Sequence, residues 1–267
     1  MPIHLIHNLD DPLLEPFRDM RNRNWTQQSG IFLAEGPVLL ERILNSEYSI
    51  HSLLLDEKYA QRFLPSIPED TEVMLVEHAL VRELVGFQFH RGVITCGHRK
   101  KYNELRASFA TCHQDETLFA AFGVQDPENL GGILRTCAGL GIERILLGPG
   151  TADPLSRRAL RVSMGTVLSL DLYRITDAAD LSWLQEQCNL ELIACSLRPE
   201  AVPLEIAGRT GPVALLVGNE RNGLPDEVLR LVSRQVRIDM RLNTDSLNVS
   251  VAAGIVMHYF CRLVSAK

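Results

Sequence analysis

Long hydrophobic runs are missing from this chain of 267 residues. No uninterrupted apolar stretch reaches the 18 or so residues that a membrane-spanning helix needs, so the sequence predicts no membrane segment. The N-terminal stretch has no basic region and carries the acidic pair Asp10 and Asp11, a pattern that does not resemble a signal peptide. We therefore expect a cytoplasmic protein without a membrane partner.

Paired cysteines are also missing. The six cysteines form no CxxC pair, and none has a histidine at zinc-finger spacing, so we expect reduced, mostly buried thiols and no metal site. The chain also lacks the GxGxxG pattern of dinucleotide-binding proteins and the GxxxxGK[ST] loop of nucleoside triphosphatases. These absences weigh against a nicotinamide-dependent dehydrogenase, which would have a similar sheet.

The third shortage is positive charge. The net charge is −6, and neither the first 106 residues nor the remainder is basic. An RNA partner would therefore have to be held by local basic patches. Three groups of clustered basic side chains are candidates: Arg18, Arg21 and Arg23; the run from Arg91 to Lys101; and Arg157, Arg158 and Arg161. Taken alone, each group is better explained as a solvated face, although Arg157 and Arg161 would share one helical face.

The chain does contain a regular alternation of apolar runs and helical patterns. Residues 1–105 predict a compact α/β domain, and residues 106–116 are polar with weak periodicity, as expected of a linker. Residues 117–267 begin with the continuous apolar run LFAAFGV, which is typical of a strand buried on both faces. Strands that alternate with helices predict a parallel sheet covered on both faces, so the predicted fold class is α/β.

Ligands of open parallel sheets bind beyond the carboxyl ends of the strands. After LFAAFGV, Asn129 is expected to cap a helix, and Arg135 follows about 9 Å further along its axis. Arg135 lies in an otherwise apolar segment, so it faces either solvent or a cleft that holds an anion. Two further caps are predicted, Asp153 for the next helix and Asp245 or Ser246 for a terminal helix that reaches about residue 264.

The stretch LLVGNERNGLP, residues 215–225, joins a buried strand to a loop with two glycines, two asparagines and a charge pair. One interpretation is a turn, because Asn-Gly supports positive φ. The other is a pocket lined by backbone N–H and C=O groups, which suits a nucleoside better than a pyrophosphate. The residues alone leave both interpretations open.

Three segments taken together resemble the motifs of the SpoU/TrmH family of RNA methyltransferases, within the SPOUT superfamily. They are DPENLGGILRTCAGLG, LLVGNERNGLP and IDMRLNTDSLNVSVAAGIVMHYF, and SRRALRVSMGTVLSL resembles the segment between the first two. The resemblance spans residues 117–264. More weakly, IFLAEGPVLLERIL and FHRGVITCG resemble the small RNA-binding domain, similar to ribosomal L30e-type folds, that often precedes this family's catalytic domain.

The resemblance implies a trefoil-knotted catalytic domain over residues 117–267, preceded by an L30e-like domain over residues 1–105. It implies transfer of a methyl group from S-adenosyl-L-methionine to a ribose 2′-hydroxyl, most simply in rRNA, with tRNA as the alternative. It also implies a homodimer whose active site is completed across the interface, with the terminal helix in the seam. A non-catalytic RNA-binding protein that kept the fold is a further alternative.

The resemblance also assigns residues. Cofactor contacts are implied at Gly218, Ile238, Leu247, Leu197 and Asn219, and catalytic or conserved polar roles at Asn129, Arg135, Glu220, Ser246 and Asn248. Arg135 would bind a phosphate or ribose oxygen and favour the developing alkoxide, or it would accept the proton, as has been proposed for the family. The implied RNA contacts are Arg157, Arg158, Arg161, Arg18, Arg21, Arg23 and Arg91. One departure is visible, because many members have Gly where this chain has Arg221 and a small residue where it has Asn222.

Overall fold

The structure is a computed structural model of the full chain, and it describes residues 1–8, 10–18, 28–77 and 92–264. The strands in chain order are β1 (Ile3–Ile6), β2 (Ile31–Glu35), β3 (Ile50–Asp56), β4 (Glu72–Val76), β5 (Val93–His98), β6 (Thr117–Ala121), β7 (Arg144–Leu147), β8 (Asp171–Arg174), β9 (Glu191–Cys195), β10 (Val202–Pro203), β11 (Val213–Val217) and β12 (Arg234–Arg237). The α-helices are α1 (Glu15–Arg18), α2 (Pro37–Leu44), α3 (Ala60–Phe63), α4 (Leu105–Ser108), α5 (Pro127–Leu140), α6 (Arg157–Val162), α7 (Ala178–Cys188), α8 (Asp226–Leu229) and α9 (Val249–His258).

The described residues form two compact units. The first comprises Met1–Lys101 with Leu155–Leu168, and the second comprises Tyr102–Pro154 with Ser169–Lys267. In the described part of the chain, no helix is both long and apolar enough to cross a membrane. All six cysteines are free, and three of them are buried: Cys96, Cys137 and Cys188.

The first unit contains a mixed five-stranded sheet in the order β1-β4-β3-β5-β2. Strands β1, β4 and β3 run parallel, whereas β5 is antiparallel to β3 and β2. Apolar clusters cover the two faces of this sheet, one centred on Phe17 and Leu54 and the other on Leu40 and Leu53. Because the side chains of adjacent strand residues point to opposite faces, Leu53 and Leu54 serve different clusters.

Segment 155–168 belongs to the first unit, although the sequence prediction included it in the C-terminal domain. A Cβ atom on Gly165 would lie 2.7 Å from Cδ2 of Leu39, so this segment packs closely against α2. The N-cap of α6 is Ser156, whose Oγ accepts a hydrogen bond from the backbone N–H of Ala159. The predicted cap at Asp153 is therefore wrong, because the helix begins three residues later than the sequence pattern indicated.

The second unit contains the parallel sheet that the sequence predicted. Its seven strands lie in the order β10-β12-β9-β11-β6-β7-β8, and every neighbouring pair is parallel. All five residues of the central strand β11 are buried, which explains why PVALLVG has no polar alternation. The carboxyl ends of β9, β11 and β12 therefore meet at one edge of the sheet.

Helices α5 and α9 pack against each other through small residues. A Cβ atom on Gly132 would lie 3.4 Å from Cβ of Ser250, and one on Gly254 would lie 3.8 Å from Cγ2 of Thr136. The terminal helix is shorter than predicted, since α9 begins after the N-cap Asn248 and ends in a π-helical turn, Tyr259–Leu263. The predicted caps Asp245 and Ser246 therefore lie in the loop before the helix.

A buried arginine ties the end of this terminal segment to the sheet. Arg209 is only 4% exposed, and its guanidinium donates hydrogen bonds to the carbonyl oxygens of Glu116, Gly211 and Phe260 and to the hydroxyl of Thr117. Burial lowers the pKa of Arg209, an effect that nearby acidic groups partly offset. Arg209 thus links the amino ends of β6 and β11 to the turn after α9.

Replacing Arg209 with Met should destabilise the protein by at least about 3 kcal/mol, because it leaves several buried carbonyl oxygens without donors. Guanidinium denaturation followed by circular dichroism would measure the loss. Arg230→Met is the matched control, because Arg230 is exposed and its replacement should change stability by no more than about 0.5 kcal/mol. Equal unfolding midpoints for the two variants would contradict this role of Arg209.

Candidate active site

A cleft of about 520 Å³ lies at the carboxyl edge of the parallel sheet of the second unit. Its walls come from the residues that follow β9, β11 and β12 and from the first residues of α9. Its volume is in the range of about 300–1,000 Å³ that is usual for small-molecule sites. All five residues to which the resemblance assigned cofactor contacts line this cleft: Leu197, Gly218, Asn219, Ile238 and Leu247.

Gly218 is required by the loop that it begins. A Cβ atom there would lie 2.2 Å from the carbonyl carbon of Gly223 and 2.3 Å from the backbone nitrogen of Leu224. No L side chain fits at that distance, because the chain folds back directly over this residue. The loop itself therefore needs glycine here, independently of any room that a ligand would need.

Asn219 holds this fold-back in place. Its backbone N–H donates to the carbonyl of Gly223, and the N–H of Gly223 donates back to the carbonyl of Asn219. Its side-chain Nδ2 donates to the carbonyl of Gly123, 2.8 Å away. Its Oδ1 accepts from the backbone N–H groups of Arg221 and Asn222, at 3.0 and 3.1 Å. The turn and the cleft wall expected from this sequence are therefore the same loop.

A chain of hydrogen bonds joins the three sequence motifs at the cleft. Nδ2 of Asn129 donates to Oε1 of Glu220 at 2.8 Å, and Nδ2 of Asn248 donates to Oδ1 of Asn129 at 2.9 Å. Oδ1 of Asn248 in turn accepts from the backbone N–H of Ser250 at 2.9 Å. We call this chain, from Ser250 through Asn248 and Asn129 to Glu220, the amide relay.

The amide relay has one direction. The backbone N–H of Ser250 can only donate, so Asn248 must present its oxygen to it and its NH₂ group to Asn129. Asn129 must then accept with its oxygen and donate its own NH₂ group to Glu220. A carboxylate can only accept, so the orientations imposed at the two ends agree. The two amide side chains are therefore fixed, and one N–H of Asn129 and one oxygen of Glu220 are left for a substrate.

Asn129 is available for the relay because it does not cap its helix. The N-cap of α5 is Asp126, whose carboxylate accepts from the N–H of Glu128, and Pro127 is the first helical residue. The predicted cap at Asn129 is therefore wrong. Asp126 and Pro127 begin the helix earlier, which places Asn129 in its first turn with its side chain toward Glu220.

Ser246 lines the cleft and is exposed, whereas Arg135 lies outside the cleft lining. Arg135 is exposed on α5, three residues after Gly132 and next to Thr136, so it lies on the side of α5 that packs on α9. Among the described residues, no hydrogen bond or ion pair engages its guanidinium. Within one chain, Arg135 neither lines the cleft nor forms a hydrogen bond with the described residues of the amide relay.

The arginines implied in RNA contact belong to the first unit or lie outside the described residues. Arg158 and Arg161 are exposed on α6, and Arg157 is half-buried. Arg18 is exposed at the end of α1 and donates to the carbonyl of Asp11. Outside the described residues lie Arg21, Arg23 and Arg91.

The cleft walls carry neutral groups and three charged side chains, Arg198, Glu220 and Arg221. Cys195 lines the cleft, and burial raises the pKa of its thiol to about 12, so it is protonated at neutral pH. In the described part of the chain, no group of three His, Cys, Asp or Glu side chains is placed to hold a metal ion. The cleft thus offers backbone groups, amides, one carboxylate, two guanidinium groups and apolar side chains.

Comparison with known proteins places this chain in the class of RNA methyltransferases. The sequence model of the SpoU rRNA methylase family matches residues 116–258, which is more than half of the chain. The chain therefore belongs to the SpoU rRNA methylase family.

Individual relatives agree with this assignment. An uncharacterised tRNA/rRNA methyltransferase of Mycobacterium tuberculosis is 33% identical over 93% of this chain and 88% of its own length. The 23S rRNA (guanosine-2′-O-)-methyltransferase RlmB of Escherichia coli is 27% identical over 79% of this chain and 95% of its own length. An AdoMet-bound rRNA methyltransferase from Sinorhizobium meliloti has a similar structure, with a TM-score of 0.86, 26% identity and 99% of each chain covered.

Replacing Asn248 with Asp should distinguish the contribution of the amide relay to activity from the contribution of the helix cap to stability. Asp caps helices as well as Asn does, so the stability should change little. The amide of Asn129 cannot then satisfy carboxylates on both sides, so methyl transfer to RNA should fall about 10²-fold, as it does when one positioned donor is lost. Methyl incorporation from radiolabelled S-adenosylmethionine and thermal unfolding would measure the two effects.

Asn248→Ala is the matched control, since it removes the relay bond and the cap together and should lose about 1 kcal/mol of stability as well as activity. Full activity in Asn248→Asp would show that the relay does not position the substrate.

Proposed function

We propose that this protein transfers a methyl group from S-adenosylmethionine to a ribose 2′-hydroxyl in ribosomal RNA. The observation that carries the proposal is the amide relay: its members Glu220 and Asn248 line a cleft of about 520 Å³, and it leaves one amide N–H of Asn129 and one oxygen of Glu220 unused. RlmB of Escherichia coli and the Sinorhizobium meliloti enzyme, both named as rRNA methyltransferases, support the choice of rRNA over tRNA. An RNA substrate also suits the predicted cytoplasmic location.

The residues of the cleft fit S-adenosylmethionine. Ile238, Leu247 and Leu197 give apolar surface for an adenine ring, and the loop at Gly218 presents backbone groups to its hydrogen-bonding edge. Bound there, S-adenosylmethionine supplies a sulfonium methyl group that is already activated for transfer. The Cys195 thiol does not compete for this methyl, because a protonated thiol is a poor nucleophile.

We also propose that the C-terminal part of the second unit forms the trefoil knot that the family resemblance implies. Its support is that the segments after β9, β11 and β12 line one cleft together with the start of α9. The segment after β11 is joined to the start of α9 by hydrogen bonds, from Asn129 to Glu220 and from Asn248 to Asn129. A knot would make these segments dependent on each other, which suits a site whose main task is to position its ligands.

The relay residues position the ribose that is methylated. The second N–H of Asn129 donates to a ribose oxygen, and the free oxygen of Glu220 accepts from a ribose hydroxyl. Because both side chains are already fixed in the free protein, little reorganisation is needed when RNA binds. Ser246, exposed at the cleft, closes the site from the loop before α9.

Arg135 supplies the positive charge. A guanidinium holds its proton in proteins, so its role is to bind a phosphate or ribose oxygen and to favour the developing alkoxide. Since Arg135 lies outside the cleft of its own chain, we propose that it acts in the cleft of a second chain.

The surface beside Arg135 suits a homodimer seam. A groove of about 590 Å³ borders this side of α5 and α9, and it is lined by Thr136, Val251, Ile255 and Leu263 among others. Val251 is 50% exposed, Ile255 40% and Leu263 66%, so exposed apolar residues are grouped in this groove. A second copy of α9 would cover them and bring Arg135 to the neighbouring cleft.

The proposed function predicts that the protein binds S-adenosylmethionine and methylates rRNA. Calorimetry should show binding, and RNA from cells that lack the gene should accept label in its rRNA fraction but not in its tRNA fraction. A non-catalytic RNA-binding protein or a nicotinamide-dependent enzyme would give no calorimetric signal. Label confined to tRNA would refute the choice of rRNA.

Mixed dimers would test whether Arg135 acts across the seam. Arg135→Ala and Asn248→Asp chains, inactive or nearly so alone, are co-expressed in equal amounts. In a two-fold symmetric dimer, about a quarter of the sites should then be intact, because half of the dimers carry one complete site each. Light scattering should show a dimer in every sample, and an inactive mixture of such dimers would place Arg135 in its own chain's site.

A further inference from the structure

The tip of the loop after β11 is held by hydrogen bonds of its backbone and carries a guanidinium. The backbone N–H groups of Arg221 and Asn222 both bind Oδ1 of Asn219, and Asn219 also bonds to Gly223 and Gly123. These bonds fix the backbone of the tip without using the side chain of Arg221. The position of the arginine's Cα is therefore set, while its guanidinium stays free to meet a ligand.

The guanidinium of Arg221 is exposed at the cleft, and it has no carboxylate at ion-pair distance among the described residues. Its neighbour Glu220 is engaged with Asn129 instead. Other arginines near the cleft have acidic partners, since Arg198 lies 4.0 Å from Glu200 and Arg237 lies 2.8 Å from Asp239. Arg221 is thus an uncommitted positive charge on the cleft wall.

The protein as a whole does not attract a polyanion, since its net charge is −6. Binding of RNA therefore depends on local cations, and a guanidinium matches the geometry of a phosphate through two parallel hydrogen bonds. The Cα atoms of Arg221 and Glu220 are about 3.8 Å apart, as in any trans peptide. A ribose held at Glu220 has a phosphate on each side within reach of the Arg221 side chain.

We propose that Arg221 binds the RNA phosphate next to the methylated ribose. This inference rests on the proposed function of the site. It makes the loop after β11 contact the RNA at two points. Glu220 accepts a hydrogen bond from the ribose, and Arg221 donates hydrogen bonds to the phosphate next to that ribose.

Arg221→Ala should raise the KM for RNA about tenfold, because a charge-assisted hydrogen bond to a phosphate is lost. The Kd for S-adenosylmethionine should stay within about twofold of its original value, because Arg221 is not proposed to contact the cofactor. The slope of log Kd for RNA against log salt should become shallower by about 0.7–0.9, the loss of one phosphate contact. Arg221→Lys should keep the salt slope but recover only part of the KM, because Lys cannot make the forked contact.

Arg230→Ala is the matched control, because it removes the same charge from an exposed position outside the cleft lining and should behave as the unmodified protein does. An unchanged RNA KM and salt slope in Arg221→Ala would overturn the inference while leaving the proposed function intact. A changed S-adenosylmethionine Kd with an unchanged RNA KM would also overturn it and would show that Arg221 narrows the cofactor cleft. An unmodified protein that neither binds S-adenosylmethionine nor methylates RNA would refute the proposed function itself, and this inference with it.

Discussion

The site depends on one hydrogen bond, from the backbone N–H of Ser250 to the side chain of Asn248. This bond caps α9, and because a backbone N–H can only donate, it also sets the direction of every amide beyond it. The side chains of Asn129 and Glu220 are oriented through this chain of contacts. A helix cap, a feature usually discussed for stability, thus fixes the orientation of the polar groups that we propose contact the substrate.

The relay can form because the chain folds back at Gly218. That fold-back leaves no space for a side chain, and Asn219 secures it with bonds to Gly223 and Gly123. Glu220 is consequently presented to Asn129, 91 positions earlier in the chain, by two parallel neighbours, β11 and β6. Methyl transfer from an activated donor depends mainly on how the reactants are positioned, and the hydrogen bonds of this loop fix the position of Glu220.

The sequence predicted the parallel sheet well, because continuous apolar runs such as LFAAFGV and PVALLVG are specific to strands buried on both faces. It also predicted a ligand site beyond the carboxyl ends of the strands, and the residues after β9, β11 and β12 do line one cleft. It failed on Asn129, since local pattern cannot tell which of two nearby residues caps a helix. It did not reveal that segment 155–168 packs with the first unit, because those packing partners lie in another part of the chain. The structural role of Arg209 was not predicted either, because the sequence does not reveal that buried carbonyl groups surround it.

The central claim is that the amide relay holds a ribose hydroxyl. The most direct measurement is nucleoside mass spectrometry of RNA methylated by the purified protein with S-adenosylmethionine that carries a deuterated methyl group. The account predicts that the label stays with the ribose fragment of a single nucleoside. Label on the base fragment would contradict the account, because the relay would then be positioning a different acceptor.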